Sequence, residues 1–111
     1  MEDFISKKKT HLILQRVFRH YKEELNEPIT ADGINISISL LKELPIAKVI
    51  PISNPLNKTT YISKQNFLQK LKDLAFTYQK EHEPSIANGI FIAQKYVENI
   101  TSENVIPLPP E

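Results

Sequence analysis

Lys48–Ser63 reads KVIPISNPLNKTTYIS, and the way this stretch folds decides how the rest of the chain is arranged. Two short runs rich in β-branched residues, Ala47–Ile52 and Thr59–Ile62, flank the turn formers SNPLNK. That pattern predicts a small β-hairpin. Pro51 has no N–H to donate, so the first run should keep a free edge there. Near the C-terminus, VIPLP at Val105–Pro109 echoes VIPIS at Val49–Ser53. A two-stranded hairpin is marginal alone. Either the echo pairs beside it as a third strand, or residues 101–111 form a polyproline tail. The echo is too short to imply a duplication, and no internal repeat is convincing. It fits two edge pieces with similar packing needs.

Upstream, residues 3–26 read as one long helix. Leu14, Phe18, Tyr21 and Leu25 recur at helical spacing, with Ile13 and Val17 beside them. Asp3 or Ser6 can cap it, and Pro28 argues for an end near Asn26. In residues 32–44, DGINISISLLKEL, the alternation of Ile34, Ile36, Ile38 and Leu40 allows a strand. The favoured reading is a short helix, capped by Asp32 and stopped by Pro45.

Downstream, Ser63 caps a helix over Lys64–Lys80 with the stripe Phe67, Leu71, Leu74 and Tyr78. Pro84 opens a last helix running to about Ile100, striped by Ile86, Ile90, Ala93 and Val97. The two make an αα-hairpin. Gly89 costs this helix roughly 1 kcal/mol relative to Ala, and the expected return is close approach of the preceding helix. The predicted fold is α+β and mostly helical: a long N-terminal helix, a short second helix, a small β-hairpin and a C-terminal αα-hairpin.

The 111 residues suit one domain spanning 1–111, and 41% apolar residues can fill a core. There is no cysteine, which removes disulfides, thiolate metal sites and a thiol nucleophile. No apolar run is long enough to span a membrane, and the N-terminus lacks the order of a signal peptide. A cytoplasmic protein is expected, in a bacterium or in the host of a phage. The Asn-x-Ser/Thr sequons at Asn35, Asn57 and Asn99 are then matters of composition. The net charge is +1, but unevenly spread. Lys64, Lys70, Lys72 and Lys80 against Asp73 give +3; Glu81, Glu83, Glu98, Glu103 and Glu111 against Lys95 give −4. Such polarity suits orientation on a partner.

Catalytic patterns are missing. His11, His20 and His82 are scattered, and the pair His20/Glu24 is common on helices. Two glycines cannot build a phosphate-cradling loop, and there is no nucleophile elbow. The chain therefore reads as non-enzymatic, without cofactor or metal. Candidate contacts are the basic Lys7, Lys8, Lys9, Arg16 and Arg19 of the first helix, and Lys70 and Lys72 of the third. They are either a solvated surface or a phosphate-contacting face. Phe91 and Tyr96 fall off the last helix's stripe; they either widen the core or form an interaction patch.

Leu40–Ile52, LLKELPIAKVIPI, resembles a helix-end, proline, short-strand passage of small accessory proteins of bacteriophages and prophages. Those relatives often carry Thr-Ala-Asp where this chain has Ile46-Ala47-Lys48, and cysteine pairs that this chain lacks. The resemblance implies an origin and supports a helix over 34–44. The expected function is a small binding protein, an accessory factor that modulates a host protein. The alternative is a nucleic-acid-binding regulator using the basic helices.

Overall fold

The computed structural model describes residues 3–52 and 59–108. Strand β1 (Phe4–Ser6) runs into helix α1 (Lys7–Arg19), whose end is a π-helical turn (His20–Glu24). Helix α2 (Pro28–Glu43) and strand β2 (Val49–Pro51) follow. Strand β3 (Tyr61–Ser63), helices α3 (Lys64–Lys80) and α4 (Pro84–Glu98) and strand β4 (Val105–Pro107) complete the order. The fold is α+β and mostly helical, as expected, with α3 and α4 as the αα-hairpin.

The expected hairpin is replaced by two other pairings. β3 pairs with β1, antiparallel, with Ile5 opposite Ile62. β2 pairs with β4, antiparallel, with Ile50 opposite Ile106. The two expected hairpin arms meet only in a single bridge, Ala47 to Tyr61, among the described residues. The intervening turn lies outside those residues. The C-terminal echo is therefore a strand, though its partner is β2 alone rather than a completed hairpin. Residues 4–6 are strand, so the first helix begins after Ser6, whose Oγ accepts from Lys9 N–H at 3.2 Å. The second helix is longer than expected: it opens at Pro28 rather than after Asp32.

These departures share one cause: the chain is two copies of a β-α-α-β unit. Glu27–Ile36, EPITADGINI, and Glu83–Ile92, EPSIANGIFI, share Glu, Pro, Ala, Gly and both isoleucines in register. Phe4-Ile-Ser6 matches Tyr61-Ile-Ser63, and the VIP echo completes the unit. The structure repeats accordingly. Ser63 Oγ accepts from Asn66 N–H at 3.2 Å, as Ser6 does from Lys9. Pro28 and Pro84 open α2 and α4. Asn26 and His82, with φ of 52° and 61°, end the helices before them in the left-handed conformation that stops a helix.

Contacts between the copies are reciprocal. Lys7 N–H donates to Thr60 O at 3.0 Å, and Lys64 N–H to Asp3 O at 2.8 Å. Ile52 N–H donates to Asn104 O at 3.0 Å, and Leu108 N–H to Lys48 O at 2.9 Å. Counterparts Leu14 and Leu71, Ile34 and Ile90, and Leu41 and Val97 are all buried. Helix α4 packs against both α2 and α3. The close approach expected of Gly89 is made, but to α2: Gly89 lies against Gly33.

One asymmetry is built into the backbone. The stretch from Ser6 to Asn26 is one residue longer than its counterpart from Ser63 to His82. At the end of α1, Leu25 N–H reaches back five residues to His20 O (3.0 Å); at the end of α3, Glu81 N–H reaches back four to Thr77 O (3.1 Å). The π turn absorbs the extra residue by adding one residue per turn. The element order on either side of it is the same in both copies.

Candidate functional site

Two backbone copies with different side chains distinguish what the fold needs from what it does not. A residue type present in both copies serves the shared architecture. A departure in one copy is free to serve something else.

Lys7 belongs to the first group. Its Nζ donates to Lys42 O at 3.1 Å, at the C-terminus of α2. Its counterpart Lys64 donates to Glu98 O at 3.0 Å and Ile100 O at 2.8 Å, at the end of α4. Both ammonium groups satisfy terminal carbonyls and complement the negative end of a helix dipole. Lys9 has a local partner too: its Nζ lies 3.2 Å from Glu103 Oε1. Glu103 Oε2 accepts from the buried Tyr61 hydroxyl at 2.6 Å. Burial, then the hydrogen bond and the charge of Glu103, push Tyr61 up to about 12. The Tyr61 hydrogen bond, with Lys9 beside it, holds Glu103 below the usual carboxylate value. The counterparts of Tyr61 and Glu103 are Phe4 and Ala47, so this network exists in one copy.

The remaining predicted residues separate. Tyr96 lines a cleft of about 500 Å³ with Lys9, Ile13, Ile100 and Glu103. The charges in that cleft already satisfy one another. Lys8 lines a smaller recess with Lys7, His11 and Lys42. Arg16 and Arg19 are exposed in the last turn of α1, and Lys70 is exposed on α3. Lys72 and Phe91 come together with a residue the sequence pattern passed over, Phe76. Its signal was an aromatic off the Phe67/Leu71/Leu74/Tyr78 stripe.

Phe76 and Phe91 meet edge to face across α3 and α4, with ring centroids 5.9 Å apart and planes at 82°. This is a favourable aromatic geometry, yet Phe76 is 45% exposed. They floor a groove of about 260 Å³, rimmed by Lys72, Lys95 and Glu98. Gln94 lines it as well, and its Oε1 is out of solvent contact with no hydrogen-bond donor. On the other copy the same positions hold Arg19 for Phe76 and Asn35 for Phe91. Phe91 is partly buried and packs against the hydrophobic core, so it widens the core stripe of its own copy, whereas Phe76 is the exposed member of the pair.

Among the described residues, no group of three or more His, Asp or Glu is placed to hold a metal ion, and no helix is long and apolar enough to cross a membrane. Compared with known proteins, the chain matches no family model, no curated sequence and no solved structure.

Proposed function

We propose that the chain is a small non-enzymatic binding protein that docks a segment of another protein in the groove between α3 and α4. The observation that carries this reading is the exposed ring of Phe76 resting edge to face on the partly buried Phe91, where the related copy has Arg19 and Asn35. Exposed aromatics with an apolar floor and a polar rim are the usual composition of a protein-recognition centre. The complementary segment carries an apolar anchor for the two rings and acidic side chains facing Lys72 and Lys95. The resemblance of Leu40–Ile52 to phage accessory proteins is in keeping with a host protein as partner.

The test substitutes the other copy's residue at the exposed ring, Phe76→Arg, and leaves Phe91, which packs against the core, in place. Affinity capture from a bacterial lysate should yield a protein with the native chain and lose it with the variant, at an unchanged melting temperature. Binding should then be reproduced with the purified partner. Undiminished capture by the variant would move the site elsewhere. A nucleic-acid reading rests on Lys8, Arg16 and Arg19, exposed cations whose counterparts are Gln65, Asp73 and Phe76. It requires binding that weakens steeply with salt.

A further inference from the structure

We infer that the outer face of the β2–β4 ribbon is a self-association surface, which packs on the same face of a second copy of this chain. Ile50 stands opposite Ile106 in the ribbon. The ladder runs one step further at each end, because Ile52 N–H donates to Asn104 O and Leu108 N–H to Lys48 O. Cross-strand partners share a face, and so do residues two apart. One face therefore carries Lys48, Ile50 and Ile52 opposite Leu108, Ile106 and Asn104. Ile52, Ile106 and Leu108 are 55%, 44% and 45% exposed, and Ile50 is half-buried. The other face holds the buried Pro51 with the half-buried Val49 and Val105. The ribbon thus turns valine and proline inward and leaves its larger aliphatic side chains uncovered. Both copies do so at equivalent positions, since Ile106 is the counterpart of Ile50, and Leu108 of Ile52. The core does not account for this agreement, because three of the four side chains are exposed.

An added strand does not fit the ribbon. Its ladder uses the N–H groups of even-numbered residues, and the odd-numbered ones point outward: Ala47 N–H reaches Tyr61 O, and Glu103 N–H reaches Phe4 O. Pro51 and Pro107 stand at outward positions and have no N–H, so each outer edge lacks a donor. The face is what stays open. Outside the described residues only Met1 and Leu56 have large apolar side chains, too few to cover it. Charge then points to a like face. No carboxylate stands on it, and its one charged residue, Lys48, lies at an end of the ladder. It asks for no acidic partner, in contrast to the lysine-rimmed groove. Two such faces stacked about 10 Å apart bring the aliphatic side chains together and leave Lys48 and Asn104 at the rim. The contact is isologous and closes at two chains. Four aliphatic side chains on each side make an interface of the small, transient class. The dimer is therefore weak and forms only at high protein concentration. This surface is separate from the aromatic groove and does not rest on it.

The test is sedimentation equilibrium of the full chain over a series from about 1 µM to about 1 mM, with NMR spectra along the same series. The average mass should rise from one chain towards two, and the amides of Ile50 and Ile106 should shift as it does. Ile106→Lys places a charge at the centre of the face, at a position already exposed. It should hold the chain at the mass of one copy throughout, with an unchanged melting temperature at low concentration. Ile52→Thr keeps a β-branched residue and should weaken association; it takes over the test if the lysine variant does not fold. The inference is overturned if the native chain stays a monomer at the top of the series, or if its mass climbs past two copies. Association that survives the folded variant, or that shifts Phe76 rather than Ile50 and Ile106, overturns it as well.

Discussion

Gly33 and Gly89 meet backbone to backbone where α2 crosses α4. A Cβ built on either glycine would lie 2.9 Å from the other's Cα. It would also drive into a carbonyl oxygen: that of Ile86 for Gly33, and that of Thr30 for Gly89. These are the chain's two glycines, and they occupy equivalent positions. Each costs its helix some stability in isolation, and the crossing of α2 and α4 is what that cost permits.

Alanine at either glycine should therefore destabilise the fold, although alanine is the better helix former. The obstacle is helix backbone, which cannot rotate away as a flexible side chain can. A loss of about 1–3 kcal/mol or more is expected for each, measured by urea unfolding. By symmetry the two losses should be similar. A stabilised Gly33→Ala variant would mean that the helices do not cross so closely.

The π turn gives a second prediction. Deleting Glu24, which is exposed, should let the end of α1 continue as an α-helix like the end of α3. Stability should change by less than about 1 kcal/mol. Deleting the exposed Thr77 from α3 has no π turn to absorb it and should cost far more. Paired thermal melts of the two deletions decide the matter.

Tyr61 and Glu103 set a pH dependence with two limbs. Glu103 is held below its ordinary value of 4.5, so its contribution is present above about pH 4.5 and is lost as pH falls through the lower folded value. Tyr61 is raised from 10.0 to about 12, so its contribution is complete below pH 10 and disappears as pH rises towards 12. Tyr61→Phe should fit the core, because Phe4 occupies the related position. It should cost about 1 kcal/mol near neutrality and weaken both limbs in a pH series of unfolding curves.

The second sheet offers a fourth test. Removing residues 103–111 takes away the acceptor for Ile52 N–H, the carbonyl of Asn104. Amide exchange at Ile52 should quicken. Ala47 N–H, which donates to Tyr61 O at 2.8 Å within the retained chain, should change less. Equal exchange at Ile52 before and after truncation would mean that β4 does not hold β2.

The helices were legible because their signals are local. Ser63 as cap, Pro84 as first residue and the Phe67/Leu71 stripe each act within a few positions. Strand partners were not legible in the same way. Three-residue strands such as Phe4–Ser6 carry no alternation, and proximity along the chain favoured a hairpin over pairing across copies. The decisive signal lay in the helices: Glu27–Ile36 against Glu83–Ile92 repeats the spacing of the VIP echo. Read together, the two segments expose the repeat; read alone, the echo is too short. The groove was half legible. Phe91 stood out from its stripe, but its pairing with Phe76 depends on how α3 and α4 are rotated about their axes.

A homodimer assembled from two separate β-α-α-β chains would display every surface twice. It would offer two equal docking sites and could cross-link its partners. Joining the copies in one chain removes that obligation. Phe76 and Phe91 have no aromatic counterparts in the other copy, which holds Arg19 and Asn35 there. Each chain therefore carries the proposed groove once, and one partner segment per chain is the expected stoichiometry despite the repeated core.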